Sequence, residues 1–526
     1  MASFTSRLII IVLALSAIVD ASRILGVFPH PVYSHQLGFR HLTLELARRG
    51  HELIVFTTDP MNEPNLRLQY TEVDLHYLYD YTMSKIDFYS KAKLGIWSFV
   101  HEIYKHNENI TDGTLSHPVM QRLISPNSTA KFDLIIVQNL FYDGLYALSI
   151  RFNAPLVVIS MMSLSANHNY ALGNPLLTST SPDVLLGYDD DMNLWQRFVN
   201  LYYQLRQIYG YKYIVLPIQE RISRKHFGDS IPPIHQLNSR ISLILVNSHP
   251  FFTYPRADIP AIVYIGGFRV DRQKKKLPQD LDKLLNDTKE GCIYFSLGTN
   301  IKSNILPIDR RNMLLKTFAA LPYKVLWKFE SDYLANKPDN VEIRKWFPQQ
   351  KVLAHPNVRL FISHGGLNSI DETIENAVPV IGFPVSIDQN FNMRRLQHFG
   401  VGKILSITDV NEEEFREAIL EMITNSSYKE NMVKLSNLFR DLPHKPLDNA
   451  IWWIEHVIRH KGASHLHNKS QDLAWYQNQM LDVMAIALGT IALIIYIIIV
   501  IIRYLSNIFR FYSMRARTKH DSKKQN

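Results

Sequence analysis

A single cysteine, Cys292, occurs in the 526 residues, so no disulfide can form within the chain and stability must come from a packed core. It stands in the apolar run Cys-Ile-Tyr-Phe, where a thiol acts as a small hydrophobe rather than a nucleophile. No compositional excess points to disorder, collagen or a coiled coil, and 46% apolar residues are ample for two packed domains. The dinucleotide fingerprint Gly-x-Gly-x-x-Gly is also missing. Gly26-Val27-Phe28-Pro29 stands where it would follow the first apolar run, which speaks against a dinucleotide-dependent oxidoreductase. Nor is there a basic face. The net charge is +9, but beyond Ile502 the last 24 residues hold seven cations and one anion. The rest of the chain is nearly balanced, which removes the case for a nucleic-acid partner.

Charge is absent from two further stretches, and these set the expected topology. Leu8 to Val19, preceded by Arg7 and followed by Asp20-Ala21-Ser22, has the length and flanks of a secretory signal peptide over residues 1–21. A buried first strand or an uncleaved anchor is the other reading of that run. Val483 to Ile502 is a run of twenty uncharged residues, and at ~1.5 Å per residue it covers the ~30 Å core of a bilayer. The cations after it predict a cytosolic basic tail, residues 503–526, hence a single-pass type I membrane protein with its bulk in the lumen. Lys523 and Lys524 resemble a dilysine signal for retrieval to the endoplasmic reticulum. Five glycosylation sequons, at Asn109, Asn127, Asn286, Asn425 and Asn468, fall on the expected lumenal side.

Between these segments, short apolar runs alternate with amphipathic stretches. Strands are expected at Ile24–Phe28, Leu53–Thr57, Asp133–Val137, Leu156–Ser160 and Leu243–Asn247, with a helix from Gln36 to Arg49 ended by Gly50. After a proline- and glycine-bearing connection the rhythm restarts, with strands at Ile293–Leu297, Val325–Phe329, Leu360–Ser363 and Val380–Phe383. The expected fold class is α/β, two facing doubly wound, Rossmann-like domains with one C-terminal transmembrane helix. The expected boundaries are 22–250 for an N-terminal domain, 251–290 for a linker and 291–448 for a C-terminal domain. A closing helix and stem are expected over 449–482 and the membrane helix over 483–502.

The strongest chemical signal runs from Trp346 to Gln389. An apolar strand ends at Ser363, and His364-Gly365-Gly366 leads into a helix beginning near Asn368. Glycines let backbone amides approach an anion closely, and a helix N-terminus supplies unpaired N–H groups and a positive dipole end. The whole constellation of Trp346-Phe-Pro-Gln349, Ser363 to Ser369, Glu372, Pro379 and Asp388-Gln389 resembles the signature of the UDP-glycosyltransferase family. Tyr33-Ser34-His35, Arg49-Gly50-His51-Glu52, Phe295-Ser296-Leu297-Gly298-Thr299 and Trp453-Ile454-Glu455 fit the same family, in an animal, arthropod-like flavour.

The resemblance implies a fold of the GT-B type, with 22–250 binding the acceptor and 291–448 the UDP-sugar. It further implies that Trp346 stacks on uracil, with Gln349 beside the nucleoside and Glu372 on the ribose hydroxyls. His364, Gly366, Asn368, Ser369, Ser296 and Thr299 would take the diphosphate, and Asp388 and Gln389 the sugar hydroxyls. His35 would be the general base, since a neutral imidazole suits removal of an acceptor proton. Family members commonly place an acid where this chain has Gln138, so Asp143, five residues on, is the favoured partner of His35. Failing both, His35 acts alone. The expected reaction is inverting transfer of a hexosyl group, glucose by family expectation, from UDP-sugar to a small lipophilic acceptor. No cofactor or metal is expected, and Asp189-Asp190-Asp191 is taken as a solvated acidic turn. The aromatic-rich stretches Phe88–Ile110 and Met161–Gln207 suit an acceptor pocket or membrane contact. A homo-oligomer is left open, as is a non-catalytic lipophile-binding protein on the same scaffold.

Overall fold

Runs of four to six β-branched and aromatic residues with no polar break form strands buried on both faces, and this is how parallel sheets are made. A computed structural model describes residues 21–61, 68–81, 96–270, 276–299, 301–385 and 388–524. Residues 1–20 of the expected signal peptide lie outside these residues, as do 88–95 of the first aromatic stretch and 271–275 of the connection.

The first sheet holds β1 (Arg23–Phe28), β2 (Glu52–Thr57), β3 (Tyr70–Asp74), β4 (Leu134–Gln138), β5 (Leu156–Ser160), β6 (Ile241–Val246) and β7 (Ile262–Tyr264). Their order is β3-β2-β1-β4-β5-β6-β7, parallel throughout. The second holds β8 (Cys292–Ser296), β9 (Lys324–Lys328), β10 (Val341–Arg344), β11 (Val358–Ser363), β12 (Val380–Gly382) and β13 (Gly402–Ile404). It is also parallel, in the order β10-β9-β8-β11-β12-β13. The two doubly wound sheets expected from the sequence are therefore present.

Strand periodicity divides each core into two layers. In the first sheet Leu25, Val27, Ile135 and Val137 face one apolar cluster, and Ile24, Phe28, Leu134 and Ile136 face another. The second layer also receives α1 (Tyr33–Arg48) through Phe39, Leu42 and Leu46. The second sheet repeats the plan, with Phe295 and Ile362 on one side and Tyr294 and Phe361 on the other. Cys292 lies in this core, its thiol pushed up to about 12 by burial, as suits a packing residue.

Four further helices matter to the site and its surroundings. They are α2 (Ile96–Ser116), α3 (Leu194–Gly210), α4 (Leu216–Phe227), which continues α3 through a π turn at Tyr211–Val215, and α5 (Leu367–Glu375). After α6 (Gln389–His398) come β13 and two further helices, Glu412–Thr424 and Ser426–Arg440, before the chain returns to the first domain along α7 (Pro446–Arg459). Ile451, Ile454 and Val457 of α7 pack into the layer holding Phe39, Leu42 and Leu46. Arg49, just past α1, reaches Asp448 at 3.0 Å and Glu455 at 3.6 Å. The last element, α8 (Leu481–Lys524), lies in a separate compact unit that begins at Asn468, and its Leu481–Arg515 portion is long and apolar enough to cross a membrane.

The connection between the sheets is more structured than a bare linker. It contains β7, which extends the first sheet, and then Gly266-Gly267. A side chain at Gly266 would stand 2.4 Å from the Ser248 carbonyl carbon, so only glycine permits this approach of backbone to backbone. Gly267 N–H donates to Asp371 of α5 at 3.2 Å, joining the connection to the second domain.

Ile454 has no exposed surface and lies at the centre of the α7 seam. Ile454→Ala is expected to cost about 2–5 kcal/mol, read as a lowered midpoint of thermal or denaturant unfolding. A loss below about 1 kcal/mol would mean that the seam does not hold α7 in place.

Candidate active site

In parallel sheets every strand ends on the same side, and ligands gather beyond those carboxyl ends. Here β1 and β4 end toward the same cleft as β8 and β11, and each end carries residues singled out in the sequence. β1 runs through Pro29–Val32 into the first turn of α1, which holds Tyr33, Ser34 and His35. β11 ends at Ser363, and His364-Gly365-Gly366 enters α5, which holds Asn368, Ser369 and Glu372.

The two helix starts face one another. Asn368 Nδ2 donates to the Ser34 carbonyl at 3.4 Å, and Asn247 at the end of β6 donates to Asn368 Oδ1 at 3.4 Å. The Tyr33 ring meets Trp346 edge-on at 6.1 Å. Neither helix has a side-chain cap or an acid in its first turn. Free N–H groups and two positive dipole ends thus converge on one place, an arrangement that favours an anion.

His364 occupies the glycine turn as a fixed plane. A side chain at Gly298 would stand 2.5 Å from its Cε1, and one at Gly366 would stand 2.5 Å from its Nε2. Gly298 also takes φ +81° and Gly365 φ +85°, both in the left-handed region that favours glycine. Burial, with the nearby charge of Lys328, holds the imidazole down to about 4, so it is neutral at physiological pH. Its Nδ1 is buried without a hydrogen-bond partner among the described residues.

Around this turn the expected residues form a connected set. Gln349 donates to Ser369 Oγ at 3.0 Å and to Glu372 Oε2 at 2.7 Å, and accepts from the Tyr294 hydroxyl at 3.2 Å. Gln350 donates to Glu372 Oε1 at 3.1 Å. Burial raises Glu372 above the ordinary carboxylate range, while Arg269 and the two glutamines oppose the shift. Asp388 precedes α6 and accepts from Asn392 at 2.9 Å, and the same Asn392 amide reaches the Gly365 carbonyl at 2.9 Å. Gln389 accepts from Val385 N–H at 2.8 Å. Ser296 Oγ accepts from Gly298 N–H at 3.3 Å, Thr299 lies in the same turn, and Trp346 stays half-exposed at the rim.

Three residues escaped the sequence reading. Lys328 at the end of β9 is nearly buried, pairs with Glu330 at 2.7 Å and lies 5.8 Å from the Trp346 ring centre. A lysine inside the apolar run Val-Leu-Trp-Lys-Phe was the available signal. Arg269 lies close enough for its charge to bear on His35, Asp371 and Glu372, and no local pattern marks it. Asn392 stands four residues after Asp388 on α6, a spacing that could have linked them.

At His35 the structure corrects an expectation. Asp143 is not its partner: the Asp143 carboxylate accepts from the Tyr211 hydroxyl, and burial raises it to about 6. The five-residue offset turns it into the 3-10 turn after β4 and toward the helical layer. Gln138, the last residue of β4, stands beside His35 instead, with Nε2 3.4 Å from Nδ1. The amide orientation is fixed from behind, because His30 N–H donates to Gln138 Oε1 at 3.1 Å. The amide N–H therefore faces His35, Nδ1 accepts, and the neutral ring carries its proton on Nε2. Burial and the charge of Arg269 lower His35 to about 4. His30 Nδ1 is 2.7 Å from the Tyr142 hydroxyl. Asp189 binds His398 at 3.3 Å and Arg395 at 3.7 Å, so the acidic turn is tied to α6.

Comparison with known proteins agrees with this geometry. The family described as "UDP-glucoronosyl and UDP-glucosyl transferase" matches residues 24–517. UDP-glycosyltransferase UGT5 of Dactylopius coccus is 33% identical over 496 residues, covering 92% of each chain. UDP-glucuronosyltransferase 2B15 of Homo sapiens is 29% identical over 89% of this chain and 90% of its own. In fold, the chain is similar to the calicheamicin glycosyltransferase CalG4, with a TM-score of 0.55 at 17% identity over 84% of this chain and 99% of the other. With the matched family spanning both sheets and the cleft between them, the chain belongs to the UDP-glycosyltransferases.

Proposed function

We propose that the chain transfers a hexosyl group, with glucose the favoured sugar, from UDP-sugar to a small lipophilic acceptor with a phenolic hydroxyl. The observation that carries this reading is the meeting of two uncapped helix N-termini over His364, opposite His35. Diphosphate would lie on the α5 start against His364, Asn368, Ser369, Ser296 and Thr299, with Trp346 and Gln349 on the nucleoside. Glu372 would hold the ribose, and Asp388 and Gln389 the sugar. The acceptor oxygen attacks the anomeric carbon as its proton passes to Nε2 of His35, the ring having taken the tautomer with its own proton on Nδ1, against the Gln138 amide. The bond from that carbon to the β-phosphate oxygen breaks, UDP leaves, and configuration inverts. The charge that develops on UDP meets donors and a dipole already in place, so the step calls on no metal.

The acceptor class follows from Gln138. An imidazolium at His35 would set Nδ1–H against the amide N–H of Gln138, beside the charge of Arg269. The base is correspondingly weak, which suits acceptors such as phenols, with pKa near ~10, over aliphatic alcohols. On this reading the catalytic part lies in the lumen of the endoplasmic reticulum, anchored by α8 with its basic end in the cytosol; the apolar length of α8 and the cations that follow it support this.

Turnover of radiolabelled UDP-glucose with a phenol panel tests the reaction. His35→Ala is expected to lose a factor on the order of 10² to 10⁴, the range for removing a general base. Activity that survives the change places the base elsewhere, and no turnover by the unaltered chain with any UDP-sugar would favour a lipophile-binding role. Because His35 must be neutral to act, the acid limb of kcat/KM should lie near pH 4 to 5 rather than near ~6.5. His364 titrates in the same range, so the assignment rests on a second variant. Gln138→Asp should move the limb upward and raise turnover of alcohols more than of phenols; an unmoved limb would detach it from His35. Gly366→Ala, which drives a methyl into the His364 ring, should raise KM for the UDP-sugar more than it alters folding.

A further inference from the structure

Helix α3 is amphipathic in the wrong sense for a soluble protein. Its buried face is polar: Asn200 donates to the Thr178 and Ser181 carbonyls, Gln204 to the Ser181 carbonyl, and Gln207 to Asp183. Its outward face carries Trp195, Phe198, Tyr202, Leu205, Tyr209 and, in the π turn, Tyr213, spaced by three or four residues along one stripe. Each exposes more than half of its surface, Trp195 as much as 69%. Six such side chains, at about 150–250 Å² each when complete, present on the order of 600 Å² of continuous apolar area, the upper end of what a monomer leaves in water. Hydrogen bonds fix the helix in this rotation. Turning it to hide the stripe would leave the Thr178 and Ser181 carbonyls without the amides of Asn200 and Gln204, and would take from Asp183 the side-chain donor that supplements the Ala166 and Leu185 N–H groups.

From this we infer that α3 lies on the lipid surface of a membrane, a second point of contact separate from α8. The chemistry of the stripe selects a bilayer interface. It is rich in Trp and Tyr, the residues of interfacial belts, and Arg197, Arg206 and Lys212 accompany it with no acid from Leu194 to Gln219. Arg206 lies over the Trp97 ring of α2 at 3.8 Å, and Trp97 packs on Tyr203 at 4.7 Å, so a second helix braces the cationic side. Anionic headgroups would meet these cations while the rings enter the headgroup layer. The inference rests in part on the anchored reading, because a chain held by α8 keeps a bilayer at high effective concentration.

The lone cysteine makes the test direct. Cys292 is fully buried, so a cysteine introduced on the surface is the one thiol open to labelling. The full chain would be reconstituted in vesicles of mixed anionic and zwitterionic lipid, with a fluorophore on Phe198→Cys, on the exposed helical Lys434→Cys, or on Ile497→Cys in α8. Nitroxide-bearing lipid is the quencher, and retained UDP-sugar turnover certifies folding. The expected result is quenching at position 198 at least about threefold that at 434, weakened by salt but not abolished. Quenching at 497 with 198 no different from 434 would overturn the inference and leave the anchor standing. Quenching at 198 without quenching at 497 would keep the lipid contact and remove the anchor. Protection of 198 from lipid together with 198-to-198 crosslinking would assign the stripe to a second copy and overturn the inference.

Discussion

Parallel pairing places every strand's carboxyl end on one side of its sheet, and two such sheets can share a site only if those ends face each other. In this chain that condition is met through a few fixed contacts. Gly266 and Gly267 bring the connection against Ser248 and Asp371, and α7 returns from the second domain to pack Ile451, Ile454 and Val457 on α1. Helix α1 is therefore held from behind by the seam and presents its free first turn to the free first turn of α5. A rotation of either domain would separate Ser34 from Asn368 and Tyr33 from Trp346 at once. The anion-binding character of the cleft is thus a property of domain geometry as much as of any side chain.

Electrostatics in the cleft divides into two halves. On the α5 side, Glu372 is held by two glutamine amides, Asp371 by a backbone N–H, and Lys328 by Glu330. His364 is kept neutral by burial and by Lys328, so it can donate to a phosphate oxygen without carrying a proton it must later lose. On the α1 side, His30 and His35 lie 5.7 Å apart, both lowered by burial, with Arg269 near. On the proposed mechanism, positive charge is therefore disfavoured where the acceptor's proton would go, and tolerated where the leaving group would be held.

The strands foreseen from apolar runs are the interior strands of both sheets; those missed are β3, β7, β10 and β13, the four edges. Edge strands are short and half-exposed, and Tyr-Thr-Glu-Val-Asp or Val-Glu-Ile-Arg has too few apolar residues to stand out from a loop. In the site, the box from Trp346 to Gln389 was legible because its residues act over short range, through one turn and the helices beside it. The partner of His35 was not legible, because it depends on which residue of β4 ends the strand. Sequence distance favoured a carboxylate five residues on, but strand geometry decides in favour of Gln138, and only the structure shows that His30 N–H orients its amide.

That orientation has a consequence for how rate is distributed in the reaction. In a displacement at an anomeric carbon, a poor nucleophile can be helped by a base, or its need for one can be lowered by a better leaving group. On the proposed reading the leaving-group side keeps its donors: a fixed neutral imidazole and the uncapped first turn of α5 with its dipole. The nucleophile side has an imidazole whose protonated form meets an amide N–H. An enzyme balanced this way depends on the acidity of its acceptor more than on the strength of its base. Lipophilic phenols are acidic enough for such a base, and a bilayer held against α3 would concentrate them beside the protein.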